Sequence, residues 1–268
     1  MNATAATPDT VVLIHGLWLN ARSWDPWVER LEQRGLNVIA KSWPEMDGDV
    51  EALRTDTSAF DDLGIEAILE HYTQIISGLD RPPIIIGHSF GGAFTQVLID
   101  HGLGAAGVAI DSGPVKGILK LPLSQARAGF PILKNPRNRH RAVPITADEF
   151  HYAFTNTLSD EESAAVYERY WVPGPGRVLF EGALANLSPH SPLHVDFHNS
   201  DRAPLLLIAG GDDHTAPQST NESNFKHYKS DAITELKVYT GRPHFHIGLE
   251  GWEVVADDAI DWALGNSR

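Results

Sequence analysis

Along the chain, short apolar runs alternate with stretches whose apolar residues recur every three and four positions. Val11-Val-Leu-Ile14, Asn37-Val-Ile-Ala40, Pro83-Ile-Ile-Ile86, Gly107-Val-Ala-Ile110 and Leu205-Leu-Leu-Ile-Ala209 are apolar throughout or nearly so. Such runs predict strands covered on both faces. Glu235-Leu-Lys-Val-Tyr239 completes the set. The intervening segments read as amphipathic helices. Asp25-Pro26 supplies a cap followed by proline at the first helical position, Trp27, Val28 and Leu31 share a face, and Gly35 ends the helix. Ile65, Ile68, Leu69, Tyr72, Ile75 and Ile76 keep the same spacing up to Gly78, as do Phe94, Val97 and Leu98 before Gly102. Near the C-terminus Trp252, Val255, Ala256, Ala259, Ile260 and Ala263 form a further stripe. Strand–helix alternation of this kind predicts a mostly parallel, doubly wound α/β sheet.

The alternation breaks once, between about Gly117 and Arg202. Helical signals replace strands there: Thr146 to Phe154, Ser159 to Trp171 with a Ser159/Glu162 capping pair, and Arg177 to Leu187. The expected organisation is therefore a core of residues 1–116 and 203–268, with 117–202 inserted as a helical cap. In open α/β sheets ligands bind beyond the carboxyl ends of the strands, so the insertion is a candidate lid.

Composition narrows the functional classes. The 268 residues carry 21 Lys and Arg against 35 Asp and Glu, a formal charge of −14, which argues against nucleic acid or an anionic membrane as partner. The most basic stretch, Lys134 to Arg141, is interrupted by Pro and Asn and reads as a solvated loop. The absence of cysteine excludes disulfides, thiolate nucleophiles and cysteine-bound metals. No apolar run approaches the ~20 residues of a membrane span, and Met1 to Thr10 has no charged and apolar leader pattern. The expectation is a soluble, cytoplasmic protein. His190, His194 and His198 recur at helical spacing, but Pro189 and Pro192 interrupt the helix, so neither metal nor cofactor is expected.

The most informative stretch is Ile84-Ile-Ile-Gly-His-Ser-Phe-Gly-Gly92. A G-x-S-x-G between a buried strand and a helix places its serine, Ser89, on a sharp turn with its hydroxyl raised at the helix N-terminus. Small residues at 87 and 91 let strand and helix approach. A serine hydroxyl needs a base, and a base needs an orienting carboxylate. The loops after the fifth and sixth strands supply Gly210-Gly-Asp-Asp-His-Thr-Ala-Pro217 and Gly241-Arg-Pro-His-Phe-His246, at the edge where Ser89 emerges. The order Ser, Asp, His is that of the α/β-hydrolases.

With Val12-Leu-Ile-His-Gly-Leu-Trp18 added, nearly the whole chain resembles an α/β-hydrolase of the serine esterase/lipase type. The resemblance implies Ser89 as nucleophile, Asp213 as acid and His244 as base. It also implies an oxyanion hole from the backbone N–H groups of Leu17 and Phe90. Trp18, Phe150, Phe154, Phe180 and Phe245 are the candidate lining of an apolar acyl or alcohol pocket. One departure is the short segment before Val11, which leaves little room for the two antiparallel strands that usually open such a sheet.

Several neighbours compete for these roles. Asp111, ending the fourth strand, is a rival acid, read here as a turn cap beside Ser112-Gly113-Pro114, and His246 is a rival base, read as a wall residue. His88 and His15 are read as supports of their turns, and Asp212 as pointing away. The implied reaction is ester hydrolysis through an acyl-enzyme. The same fold also hosts perhydrolases or haloperoxidases, lyases, cofactor-free dioxygenases and hydrolase-like receptors. Phe245 stands where hydroxynitrile lyases carry lysine, and serine at 89 argues against haloalkane dehalogenases and epoxide hydrolases, which use aspartate.

Overall fold

The computed structural model describes residues 8–267. The first seven residues, where most of the leader reading falls, and residue 268 lie outside the described residues. Strands β1 (Thr10–Ile14), β2 (Asn37–Ala40), β3 (Ile84–His88) and β4 (Ala106–Ile110) precede the inserted segment. Two-residue strands β5 (Ala142–Val143) and β6 (Gly174–Pro175) lie within it, and β7 (Leu205–Gly210) and β8 (Thr234–Tyr239) follow. The main sheet has the order β2-β1-β3-β4-β7-β8, all neighbours parallel. Chain direction across the sheet reverses at β1, which puts the switch point, and hence the natural crevice, between β1 and β3.

Burial explains which runs are wholly apolar. Val11–Ile14, Ile84–Ile86, Val108–Ile110 and Leu205–Ala209 are buried because helices cover both faces of the central strands. Each Val, Leu or Ile among them contributes about 1.5–3 kcal/mol of burial free energy. β2 and β8 are edge strands: β8 alternates in exposure, and β2, expected to be covered on both faces, is only half-buried. Helix α1 (Asp25–Gln33) packs with the C-terminal Trp252–Asn266 helix, through Trp27 against Trp252 and Arg30 against Asp257. A short helix, α2 (Val50–Thr55), leads into α3 (Ile65–Ser77), which packs beside α4 (Phe90–Asp100).

The inserted segment holds α5 (Leu123–Leu133), α6 (Ala147–Phe154), α7 (Asp160–Tyr170) and α8 (Gly176–Ala183). Thr146/Glu149 and Ser159/Glu162 form capping boxes that start α6 and α7. α8 ends at Ala183, earlier than the expected Leu187. α5 escaped the sequence pattern because Pro122 precedes it and Pro131 lies inside it. A proline that late in a helix costs one hydrogen bond without preventing the turns before it. The β5–β6 pair is an antiparallel ribbon too short to leave a periodic signal. After β7 comes α9 (Gln218–His227), packed beside α4 through Asn224 and Gln96, and after β8 comes the last helix, α10 (Trp252–Asn266). Among the described residues no strand precedes β1, and no helix is long and apolar enough to cross a membrane.

Candidate active site

The parallel registers bring the ends of β1, β3, β4, β7 and β8 to one edge, and Ser89, Asp111, Asp213, His244 and His246 lie just beyond it, with His88 ending β3. Ile14 pairs with Gly87, His88 with Ile110 and Gly210 with Tyr239. Ser89 joins β3 directly to α4 with φ 58° and ψ −120°, a conformation costly for any side-chain-bearing residue. Its N–H donates to Ile110 O at 2.9 Å, and its carbonyl accepts from Gly113 N at 3.0 Å, Gly92 N at 3.0 Å and Ala93 N at 3.3 Å, so four bonds hold the strained turn. A Cβ at Gly91 would collide with the Ile14 carbonyl, and one at Gly16 would lie 2.6 Å from Ser89 Cβ. The first loop, His15-Gly16-Leu17, thus presses directly on the serine.

Asp213 sits after β7 and His244 after β8, both buried. His244 Nδ1 donates to Asp213 Oδ2 at 2.7 Å. Asp213 Oδ1 accepts from Thr215 N at 2.6 Å and Ala216 N at 2.9 Å, so the carboxylate orientation is fixed by its own loop. With Nδ1 committed as donor, the other ring nitrogen, Nε2, is buried and has no hydrogen-bond partner among the described residues. Leu17 and Phe90 both line the cavity beside Ser89. Among the described residues, no turn or loop carbonyl takes up either backbone N–H.

The other polar groups are arranged as supports. His88 Nε2 donates to the His244 carbonyl at 2.8 Å, bracing the loop that carries the imidazole. Burial, and next the nearby His244, push the His88 pKa well down, so this ring is neutral. His15 Nδ1 donates to Gly16 O at 2.8 Å and its Nε2 accepts from Trp43 N at 3.0 Å, with burial lowering its pKa to about 4. Asp111 does not cap its own turn. Its Oδ1 accepts from Gly210 N at 2.6 Å, tying β4 to the start of the Asp213 loop. Burial, and then the charge of Asp213, raise its pKa well above the carboxylate range. Its Oδ2 lies 3.3 Å from His246 Nε2, within ion-pair distance but misaligned for a hydrogen bond, so both atoms lack a hydrogen-bond partner among the described residues. Burial lowers His246 to about 3 and raises Asp111, so both shifts disfavour an ion pair between them. His246 is buried behind the site and is not part of its wall.

A cavity of about 400 Å³ opens over Ser89, walled by Trp18, Phe90, Ile118, Leu121, Leu179 and Phe154 among others. Trp18 and Phe154, two of the five aromatics named as candidate lining, border this cavity. Phe150, Phe180 and Phe245 do not. Phe150 stacks behind Phe154 with ring centroids 4.7 Å apart, and Phe245 is packed beneath Tyr170 and beside His88. Phe180 packs, half-buried, against the core on α8, whose cavity-facing residues are Leu179, Gly182 and Ala183. Much of the wall comes from α5 and its approach, which the sequence pattern missed. A leucine-rich segment immediately after the fourth strand was the available signal. Among the described residues His190, His194 and His198 bring no ligand atoms together. His88, Asp111 and His244 do, within 4.8 Å, but His88 Nε2 and His244 Nδ1 are already engaged.

The fold agrees with the comparisons to known proteins. A model of the alpha/beta hydrolase family matches residues 11–258. The chain belongs to that family. Solved alpha/beta hydrolases superpose along almost all of it. The monoacylglycerol lipase of Paleococcus ferrophilus has a TM-score of 0.68 at 18% identity, covering 97% of this chain and 96% of that one. A thermophilic esterase from Thermogutta terrifontis has a TM-score of 0.68 at 17% identity, covering 100% and 97%. A pyrethroid hydrolase from Sphingobium faniae JZ-2 has a TM-score of 0.66 at 19% identity, covering 96% and 98%. No curated protein matches the sequence. At these identities the structural likenesses speak for the shared fold alone.

Proposed function

We propose that this family member is a serine hydrolase of carboxylic esters, with Ser89, His244 and Asp213 as its catalytic triad and residues 117–202 as its cap. The observation that carries the reading is the 2.7 Å bond from His244 Nδ1 to Asp213, in the loop cluster around the strained Ser89 turn. That bond leaves Nε2 as the base. In ligand-free sites the contact between nucleophile and base is commonly long and closes when substrate binds.

In the proposed reaction His244 Nε2 takes the Ser89 proton as Oγ attacks the ester carbonyl, and the N–H groups of Leu17 and Phe90 receive the oxyanion. As the intermediate collapses, the C–O bond to the alcohol breaks and Nε2 returns the proton to the leaving oxygen. Water then attacks the acyl-enzyme, gives a proton to Nε2, and Ser89 departs as the hydroxyl. Asp213 keeps the Nδ1 proton in place and stabilises the imidazolium. The apolar wall suits a hydrophobic acyl or alcohol group, and Gln125 and Asn186 are already engaged by Thr220 Oγ1 and by Gly117 N, respectively.

Multiple turnovers of p-nitrophenyl esters from acetate to palmitate test the reading, with Ser89→Ala losing about 10³-fold or more in kcat. Turnover by that variant close to the parent's would overturn it. A single burst with no steady state would point instead to a receptor-like protein.

A further inference from the structure

The charge of this acidic chain is distributed unevenly, and the exception is a segment that also supplies part of the cavity wall. Residues 116–141 contain seven Lys and Arg and no Asp or Glu, whereas the remaining 242 residues hold fourteen Lys and Arg against thirty-five acids. The argument from net charge against an anionic surface therefore fails locally. The same segment carries Leu119, Leu121, Leu123 and Phe130, which are 79%, 67%, 89% and 61% exposed. Along α5 and its C-cap, Leu123, Arg127, Phe130 and Lys134 lie at offsets of four, seven and eleven from the first, which places them on one helical face. All four are exposed, while Ala128 and Ile132 are buried beneath. Arg127 lies over the Tyr152 ring at 3.8 Å, and among the described residues none of Lys120, Arg127, Lys134, Arg137 and Arg139 pairs with a carboxylate.

The patch continues across the mouth. Asn186 accepts from Gly117 N at 2.6 Å and donates to Ile118 O at 2.9 Å, joining the approach to α5 to the turn after α8, where Leu184 and Leu187 are also exposed. Leu119 and Leu121 belong both to this rim and to the cavity wall. Exposed large apolar residues interleaved with unpaired cations are the composition of a face that lies in a lipid–water interface. A nucleic-acid duplex would satisfy the cations but leave the leucines in water, so it fits worse.

We propose that residues 116–141, with Leu184 and Leu187, dock this protein peripherally on an anionic lipid surface, with the cavity mouth facing the lipid. The acidic remainder of the molecule would then face away from the surface, and repulsion would oppose other orientations. The docking goes beyond the ester-hydrolysis reading and does not depend on it.

The test is flotation of the full chain with unilamellar vesicles of phosphatidylcholine alone or with about one-third phosphatidylglycerol, at about 0.1 M salt. Binding to the anionic vesicles should be about tenfold tighter or more, and should weaken at high salt. Leu123→Ser with Phe130→Ser, and separately Lys134→Glu with Arg137→Glu, should each lose about tenfold in binding. Unchanged melting temperature and circular dichroism would show that both variants fold. Ser89→Ala should bind as the parent does, which separates this proposal from the reaction. Equal binding to both vesicle types, or binding that survives both double variants, would overturn it. So would binding to a DNA duplex that matches vesicle binding and ignores the Leu123/Phe130 pair.

Discussion

The two ends of the inserted segment relate to the site in opposite ways. At one end, α6 is fastened to the loops bearing Asp213 and His244. The carbonyls of Tyr152, Ala153 and Phe154 accept from His214 Nδ1 at 3.0 Å, Thr215 Oγ1 at 2.6 Å and Phe245 N at 2.9 Å. These are among the carbonyls that any helix leaves unsatisfied at its C-terminus. Phe154 also packs edge-on to His244 at 5.0 Å, and Trp18 Nε1 reaches Val143 O at 3.1 Å. At the other end, α5 supplies cavity wall and an exposed rim, and Gln125 links it to the core by accepting from Thr220 Oγ1. One end of the insertion thus completes the positioning of the proposed triad, while the other shapes what reaches it.

The comparison has a sharp form at the carboxylates, where the largest effect is expected. Asp213→Asn should lower kcat by about 10³–10⁴-fold, because an amide at this position favours the wrong imidazole tautomer. Asp111→Asn should change it by less than about tenfold, since a neutral acid accepting from Gly210 N is closely mimicked by an amide. Steady-state kinetics on a soluble ester distinguishes them, and a collapse in Asp111→Asn alone would exchange their roles.

Next in size is the tie between α6 and the acid loop. Thr215→Val keeps the shape and the backbone bond to Asp213 but strands the Ala153 carbonyl. It should cost about 1–3 kcal/mol of stability and lower kcat about five- to tenfold with KM little changed. Thr215→Ser should restore both. Loss of stability with kcat and its pH profile intact would make the tie merely structural.

The α5 end should respond in specificity instead. A Cβ at Gly129 would meet Leu133 and Leu179 at 3.5 and 3.6 Å, ordinary contact, so Gly129→Ala should be tolerated and gain up to about 1 kcal/mol of helix propensity. Gly129→Leu should fill the cavity and raise KM severalfold for long-chain esters while sparing acetate. An unchanged chain-length profile would place the acyl group elsewhere.

The smallest effect on activity near neutral pH is expected from the buried histidines, which act instead on the pH dependence of stability. His15 and His246 have folded pKa values of about 4 and about 3, below the ordinary 6.5. The unfolded chain therefore binds protons first as pH falls below about 6.5, and stability declines down to about pH 3–4. His246→Gln should flatten part of that decline in melting curves. Asp111 acts in the opposite sense: the folded state holds its proton longer, so its contribution is lost as pH rises from about 4 through the raised value.

Periodicity alone located all six strands of the main sheet, because central parallel strands must be apolar on both faces and edge strands on one. The serine turn was equally legible: close approach of β1, β3 and α4 leaves room for little but glycine at 91. Side chains beyond the strand ends were legible only as candidates. Asp111 and Asp213 both follow strands at the same edge, and in one dimension only the family resemblance favours Asp213. They differ in the tertiary structure because one accepts two N–H groups of its own loop and the His244 ring, whereas the other faces a neutral histidine. The same holds for the aromatics. Phe150 and Phe154 lie one helical turn apart, yet only the second reaches the cavity, since wall and core are distinguished by what packs behind them. Chain pattern records which residues avoid water; which of them border an open space depends on elements distant in sequence, and only their packing decides it.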